Sequence, residues 1–394
     1  MVRCEGVEVV YRISGGPNVR VKAIFCAGLL LTFGSSIALG AGGRMSGKSV
    51  KVGVIADVTG GASVYGTSQK NAYDLANDDV QSGRIDAGGA NLTFDVQDAA
   101  TDGAQVVNLM QRFTTDGQTP IVLGPTLSGE AFRAFPIAKN ANFPVMGTST
   151  TAEGVTAVGP TVFRDSLAES QVIPTTIKRT LNKWHYKTAA IIYGDDNAFT
   201  KTDGDIFARE LKAAGVTVVD VETFHIKDSD FQPALTRIES KNPDAIAIGA
   251  LFPEATKIIQ QAGKLGIKSH MMGGNGLNSP DMYGVAGPAA EGTVVGAAWF
   301  SGAKYPTNVE FVKRYTAKYG KGPDQFAAQA YAAAQIVAYL VAHGATTKEE
   351  MLSGLRSLRV IQTVLGPIGF DANRDVKSTP VILAIIKDGF SYFH

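Results

Sequence analysis

From residue 50 the chain repeats one pattern: a short apolar run, a turn rich in Gly, Ser or Thr, then a longer stretch with apolar positions at helical spacing. Read by period, the first series predicts strands at 51–56, 92–97, 121–123, 143–146 and 161–165. Helices over 65–80, 103–115 and 129–140 alternate with them. A second series predicts helices over 169–183, 199–214, 231–240 and 254–265. Its strands are 189–193, 216–222, 245–250, 270–273 and 292–299. Such alternation means parallel strands with helices on both faces. After Trp299 the pattern turns helical (308–319, 326–342, 348–358) and a last strand, 379–387, follows. These later pieces are too few for a third sheet, so they pack back onto the first two. The chain then crosses between lobes near Ala168, Ser301 and Thr379. The expectation is an α/β fold of two doubly wound parallel-sheet lobes joined by a multi-strand hinge. One lobe takes 48–168 and 301–378, the other 169–300 and 379–394. Several hinge segments suit closure on a ligand.

Two turns stand out. The strand at 121–123 runs into GPTLSGE and the strand at 143–146 into GTSTT. In an open parallel sheet both turns lie at the carboxyl ends of their strands, where ligands bind. A helix start offers unpaired N–H groups and the positive end of the helix dipole. Ser128, Ser149, Thr150 and Thr151 therefore form a candidate cradle for a small carboxylate. The same hydroxyls also serve as ordinary N-caps, but two such turns on neighbouring strands favour a ligand site. Asp57, Asp195 and Asp196 read as caps, the last two for the helix at Phe199.

Charge and motifs narrow the function. The chain holds 37 basic and 36 acidic residues. Five of the bases and two of the acids precede residue 45, so the remainder carries 32 against 34. That balance, without a basic stripe, argues against nucleic acid. No nucleotide-binding glycine motif, P-loop or nucleophile elbow is present. His185, His225, His270, His343 and His394 lack metal-ligand spacing. No cofactor is implied, and the hydroxyl turns have no neighbouring base for nucleophilic catalysis.

The first 44 residues read as an export leader. Arg20 and Lys22 precede AIFCAGLLLTFGSSIALGAGG, and Ala38-Leu39-Gly40 resembles a cleavage site. A membrane anchor is the competing reading; the apolar core is barely long enough to span and is diluted by Gly, Ser and Thr. The segment before Arg20 is long and carries Glu5 and Glu8, which suggests a long n-region or a start further in. Cys4 and Cys26 both lie in this leader, so the mature chain would hold no thiol.

From Val50 onward the chain resembles the periplasmic leucine/isoleucine/valine-binding family, the type I solute-binding proteins of ABC importers. The likeness rests on the order and spacing of KVGVIADVTGGASVYGTSQKNAYDLANDD, LGPTLSGE, FPVMGTSTT, VFRDSLAES, IIYGDDNAFTKTDGDIF, NPDAIAIGALFPEATKIIQQAGKLGI, GGNG, FAAQAYAAAQ and VLGPIGFDANRD. The resemblance implies that Ser128 and Thr151 hold a ligand carboxylate and that the Ser149 carbonyl faces a ligand amine. It implies that Tyr65 lines the cleft, Phe199 and Phe326 bound an apolar pocket, and Glu169 helps orient an ammonium. Leu251 and Asn275 stand where branched-chain binders carry an aromatic and an acid. A neutral Asn275 suits a keto, hydroxyl or aromatic acid about as well as an amine, so amino acid and non-amino carboxylate remain open. The resemblance further implies a periplasmic monomer that delivers its ligand to membrane permease subunits. The competing classes are an exported α/β enzyme and the ligand domain of a sensor.

Overall fold

The computed structural model describes residues 6–11, 19–24, 43–387 and 389–394. It divides into a unit through Ala41 and one from Gly42 to His394. In the first, strands β1 (Gly6–Tyr11) and β2 (Val19–Ile24) form an antiparallel hairpin. The leader reading did not anticipate it; Arg20 and Lys22 fall in β2. Cys4, Cys26 and Ala38–Gly40 lie outside the described residues.

The second unit contains both predicted sheets. The first has strands β3 (Ser49–Ala56), β4 (Asn91–Asp98), β5 (Val122–Leu123), β6 (Val145–Gly147) and β7 (Val162–Arg164). They are parallel in the order β4-β3-β5-β6-β7. Helices α1 (Ser63–Gln81), α2 (Gly103–Thr115) and α3 (Ser128–Asn140) connect them. Strand alternation sorts the side chains. Val52, Val54, Leu123 and Met146 enter one core with α1; Ile55, Val122 and Val145 enter another with α2 and α3.

Helix α4 (Glu169–Trp184) leads to the second sheet. Its strands are β8 (Thr188–Gly194), β9 (Thr217–Phe224), β10 (Ala245–Gly249), β11 (His270–Gly273) and β12 (Val294–Ala297). Between them come helices α5 (Ala198–Ala213), α6 (Gln232–Ser240), α7 (Phe252–Leu265) and a short α8 (Met282–Ala286). Here too alternate residues part. Ile246 and Ile248 face the core that holds α6 and α7, whereas Ala245 and Ala247 face α5 and α4.

The chain then returns to the first lobe as α9 (Pro306–Tyr319), α10 (Gln325–Ala342), α11 (Lys348–Ser357) and a small hairpin of β13 (Ile361–Thr363) and β14 (Gly366–Ile368). Phe311, Tyr331 and Val337 complete the core beneath α1. Finally β15 (Val381–Ile386) and β16 (Gly389–Tyr392) add to the second sheet in the order β16-β15-β12-β11-β10-β8-β9. β15 runs antiparallel to β12, and β16 antiparallel to β15. The sequence pattern predicts the crossings between sheets but not α8, β13, β14 or β16.

One ion pair clamps a crossing segment to the site-bearing turn. Arg164, at the end of β7, donates from Nε to Asp375 Oδ1 at 2.7 Å. Its Nη1 donates to the carbonyls of Thr150 and Ala152 at 2.9 and 2.8 Å. The guanidinium is almost wholly buried. Arg164→Ala should cost about 3–5 kcal/mol in equilibrium denaturant unfolding, because it strands Asp375 and two carbonyls. A loss below about 1 kcal/mol, the range of exposed pairs, would remove this role.

Candidate functional site

The two hydroxyl turns are built by close backbone approach. Gly124 has φ +94°, and a Cβ there would collide with the Ile55 carbonyl, so the chain can turn sharply at the end of β5. Helix α3 begins at Ser128, and its Ala131 N–H donates to the Leu127 carbonyl at 3.0 Å. The Leu127 N–H is taken by Glu130 Oε2 at 3.1 Å. The amides of Ser128 and Gly129 lie ahead of the helical ladder, as helix starts require.

Gln69 on α1 ties the two turns together. Its Nε2 donates to Ser149 Oγ at 2.9 Å and to Thr148 Oγ1 at 3.3 Å. Its Oε1 accepts from Thr126 Oγ1 at 2.7 Å. Ser149 Oγ donates to Thr126 O at 2.6 Å, and Ser128 Oγ accepts from Ala152 N–H at 3.2 Å. Ser128 thus keeps its own hydroxyl proton uncommitted. Sequence reasoning missed Gln69; its signal was the spacing of four from Tyr65 on one helix face.

A narrow cavity of about 20 Å³ lies against these turns. Ser128, Ser149 and Thr151 line it, as do Tyr65, Phe199, Leu251, Asn275 and Phe326. Thr126, Leu127 and Gly276 complete the wall and were not anticipated. Gly276 is required by contact: a Cβ would collide with Ala250 O and lie 2.9 Å from Phe199 Cε1. Tyr65 and Phe326 pack with ring centroids 4.3 Å apart. Phe199 is the second residue of α5, whose cap is Asn197, accepting from the Phe199 and Thr200 N–H groups. The expected caps serve elsewhere. Asp196 accepts from Ile226 N–H, and Asp195 faces His225. Asp57 accepts from Thr101 N–H.

Two candidates stand off the cavity wall. Thr150 is fully buried with its hydroxyl unpartnered. Glu169 sits one bond behind, where Oε1 accepts from Asn275 N–H at 3.0 Å and Thr151 Oγ1 at 3.3 Å. Burial pushes its carboxyl up to about 7, against the lowering effect of those donors and the Arg164 charge. The Asn275 side chain lines the cavity but its polar atoms turn to the hinge. Oδ1 accepts from Gln325 Nε2 at 2.7 Å, and Nδ2 donates to Leu167 O at 3.4 Å.

The lobes touch through Tyr65. Its hydroxyl donates to Gly276 O at 2.9 Å and accepts from Phe252 N–H at 2.6 Å. Both partners belong to the second lobe, the latter at the start of α7. Tyr65 is therefore a bridge across the cleft as well as part of its wall. Burial raises its phenol far above the usual value, so it stays protonated. Among the described residues no cluster could hold a metal ion, and no helix is long and apolar enough to cross a membrane.

The family model described as periplasmic binding protein matches residues 49–390. The chain is similar to the Leu/Ile/Val-binding protein BraC3 of Rhizobium johnstonii, 27% identical over 84% of this chain and 89% of that one. Among solved structures it resembles the branched-chain amino acid transporter substrate-binding protein LivJ of Streptococcus pneumoniae in complex with isoleucine. That match has TM-score 0.80 and 25% identity, covering 87% of this chain and 98% of the other. An ABC transporter solute-binding protein of R. palustris in complex with benzoate shares the fold, with TM-score 0.79, 23% identity, and 87% and 95% coverage.

Tyr65→Phe should shift the protein toward an open form, because Phe252 N–H and Gly276 O lose their shared partner. The cost of closure would rise by about 1–3 kcal/mol. Small-angle scattering should report a larger radius of gyration; an unchanged profile would mean the bridge does not hold the lobes.

Proposed function

The chain belongs to the periplasmic binding protein family, and from that premise we propose that it is the substrate-binding component of an ABC importer. It captures a small carboxylate between two lobes, 48–168 with 301–378 and 169–300 with 379–394. The closed form then presents a joint surface to membrane permease subunits. The reading includes an exported, periplasmic monomer whose leader is removed. The observation that carries it is the meeting of two hydroxyl turns and a helix start at one end of an otherwise apolar cavity. Ser128 and Thr151 would hold the carboxylate by charge-assisted hydrogen bonds. Tyr65, Phe199, Leu251 and Phe326 would enclose the ligand body. No His, Cys or Lys lines the cavity, which favours capture over acyl chemistry.

The relatives named for leucine, isoleucine and valine support a branched-chain amino acid as ligand. One observation supports an aromatic or keto acid instead: no carboxylate lines the cavity, and the Asn275 amide is committed to Gln325 and Leu167. A buried ammonium needs an acceptor of opposite charge.

A thermal-shift panel of branched-chain amino acids, benzoates and keto acids decides between them, since a ligand that binds the native state raises Tm by mass action. Ser128→Ala with Thr151→Ala should abolish the shift. Each lost charge-assisted bond costs about 1.5–3 kcal/mol, so the pair should weaken binding by about 100-fold or more. Unchanged affinity in the double variant, or shifts only from amines without a carboxylate, would sink the reading.

A further inference from the structure

Two buried acids stand behind the first hydroxyl turn, and the cavity as described gives them no common role. Asp57 follows β3, and Glu130 lies in the first turn of α3. Asp57 is fully buried and Glu130 nearly so. Separate hydrogen bonds bring both to the same turn. The Asp57 N–H donates to Thr126 Oγ1 at 2.9 Å, and Glu130 Oε2 accepts from Leu127 N–H at 3.1 Å. Helix α1 presses on Asp57 from another side, since a Cβ at Gly66 would collide with the Asp57 carbonyl.

Each carboxyl has one oxygen committed to the backbone. Asp57 Oδ1 accepts from Thr101 N–H at 2.8 Å. No N–H or hydroxyl reaches Asp57 Oδ2 or Glu130 Oε1. The two side chains are instead hydrogen-bonded to each other. Ionised carboxylates can only accept, so this contact requires a proton on one of them. Placed there, a single proton satisfies the remaining oxygen of both residues.

We propose that Asp57 and Glu130 are a positioning pair for the carboxylate site: one shared proton joins them, ties the end of β3 to the start of α3 and keeps a second negative charge from beneath the hydroxyl turn. The proposal rests on the carboxylate-binding reading of the cavity. The residues the pair holds, Thr126 and Leu127, both line that cavity. Thr126 passes the constraint on to Gln69 and Ser149. Loss of the proton would set two like charges in contact, drive them apart and oppose an anion held at Ser128.

Burial, more than any neighbour, pushes Asp57 up to about 6 and Glu130 up to about 9. The Asp57 charge adds to the rise at Glu130, and Asp98 on β4 and Asp102 at the start of α2 add less. Arg133, on the next turn of α3, and Asp196, before α5, are the other charged groups that border Glu130 and Asp102. At pH 7 the pair therefore carries one proton.

Thermal unfolding of the ligand-free protein tests the pair. An acid whose folded value is raised contributes stability that is lost as pH climbs from its unfolded to its folded value. Glu130→Gln keeps the contact without the proton, because its amide donates to Asp57 while its carbonyl accepts from Leu127 N–H. The Tm of Glu130→Gln minus that of wild type should therefore rise from about pH 5 to about pH 9. A difference that stays level over that range overturns the proposal. Benzoate binding tests the effect on the site, since the probe keeps one charge throughout. Wild type should lose affinity several-fold between about pH 7 and about pH 10, whereas Glu130→Gln should show a flat profile. An equal loss in both proteins overturns the positioning role. If benzoate binds neither protein at any pH, the carboxylate reading fails, while the melting difference still decides whether the pair holds its proton.

Discussion

Everything at the cleft depends on one buried amide. Gln69 is almost wholly buried, so both ends of its side chain must find partners inside the protein. It finds them on two different turns, Thr126 on one and Thr148 and Ser149 on the other. The turns are thereby fixed in spacing before any ligand arrives. Arg164 fixes the second turn from below by its carbonyls, and Gly124 sets the path of the first. Under the proposed carboxylate reading, turns pre-set in this way lose little entropy on binding, and hydroxyls with helix-start amides would serve as donors in place of a cation.

The same helix face extends the constraint to the second lobe. Tyr65 lies one turn before Gln69 on α1, so the residue that ties the turns and the residue that bridges the cleft share a rigid rod. A hinge motion of the second lobe, on the proposed reading, would act on Tyr65, and the packing of α1 against α10 keeps that residue in register with the hydroxyl turns. Gln325, at the start of α10, repeats the logic. Its Oε1 accepts from Ala298 N–H and Asn278 Nδ2 while its Nε2 holds Asn275. Hydrogen bonds from Tyr65 and from Gln325 thus both reach from the first lobe to the second beside the cavity.

Much of this was legible in the chain. Period-two apolar runs and helical spacing placed the strands and helices of both sheets within a few residues, because each element buries one or two uniform faces. The hydroxyl turns were legible because strand, glycine and Ser/Thr fall in a fixed order. What escaped detection was directional. A Gln in mid-helix reads as a solvated polar residue until the facing turns are known. Asn275 can be placed at the cavity, but which way its amide points depends on Gln325, fifty positions later. Asn197 outcompeted Asp195 and Asp196 as the α5 cap because it stands immediately before the first helical residue. The hairpin at 361–368 is too short for periodicity to register.

The bridge through Tyr65 bears on how selective such a clamp can be. A ligand shifts a closing equilibrium only by its differential affinity for the closed form. Hydrogen bonds made by the protein across its own cleft favour closure whatever the ligand, and so add to affinity without adding discrimination. Discrimination must come from groups whose satisfaction depends on what is bound. On the proposed reading the carboxylate end cannot supply it, since any carboxylate would satisfy Ser128 and Thr151 alike. The burden falls on the far wall, where the apolar rings set shape and the committed Asn275 amide offers no charge. Behind that wall Glu169 contacts both lobes, through Thr151 on one side and Asn275 on the other.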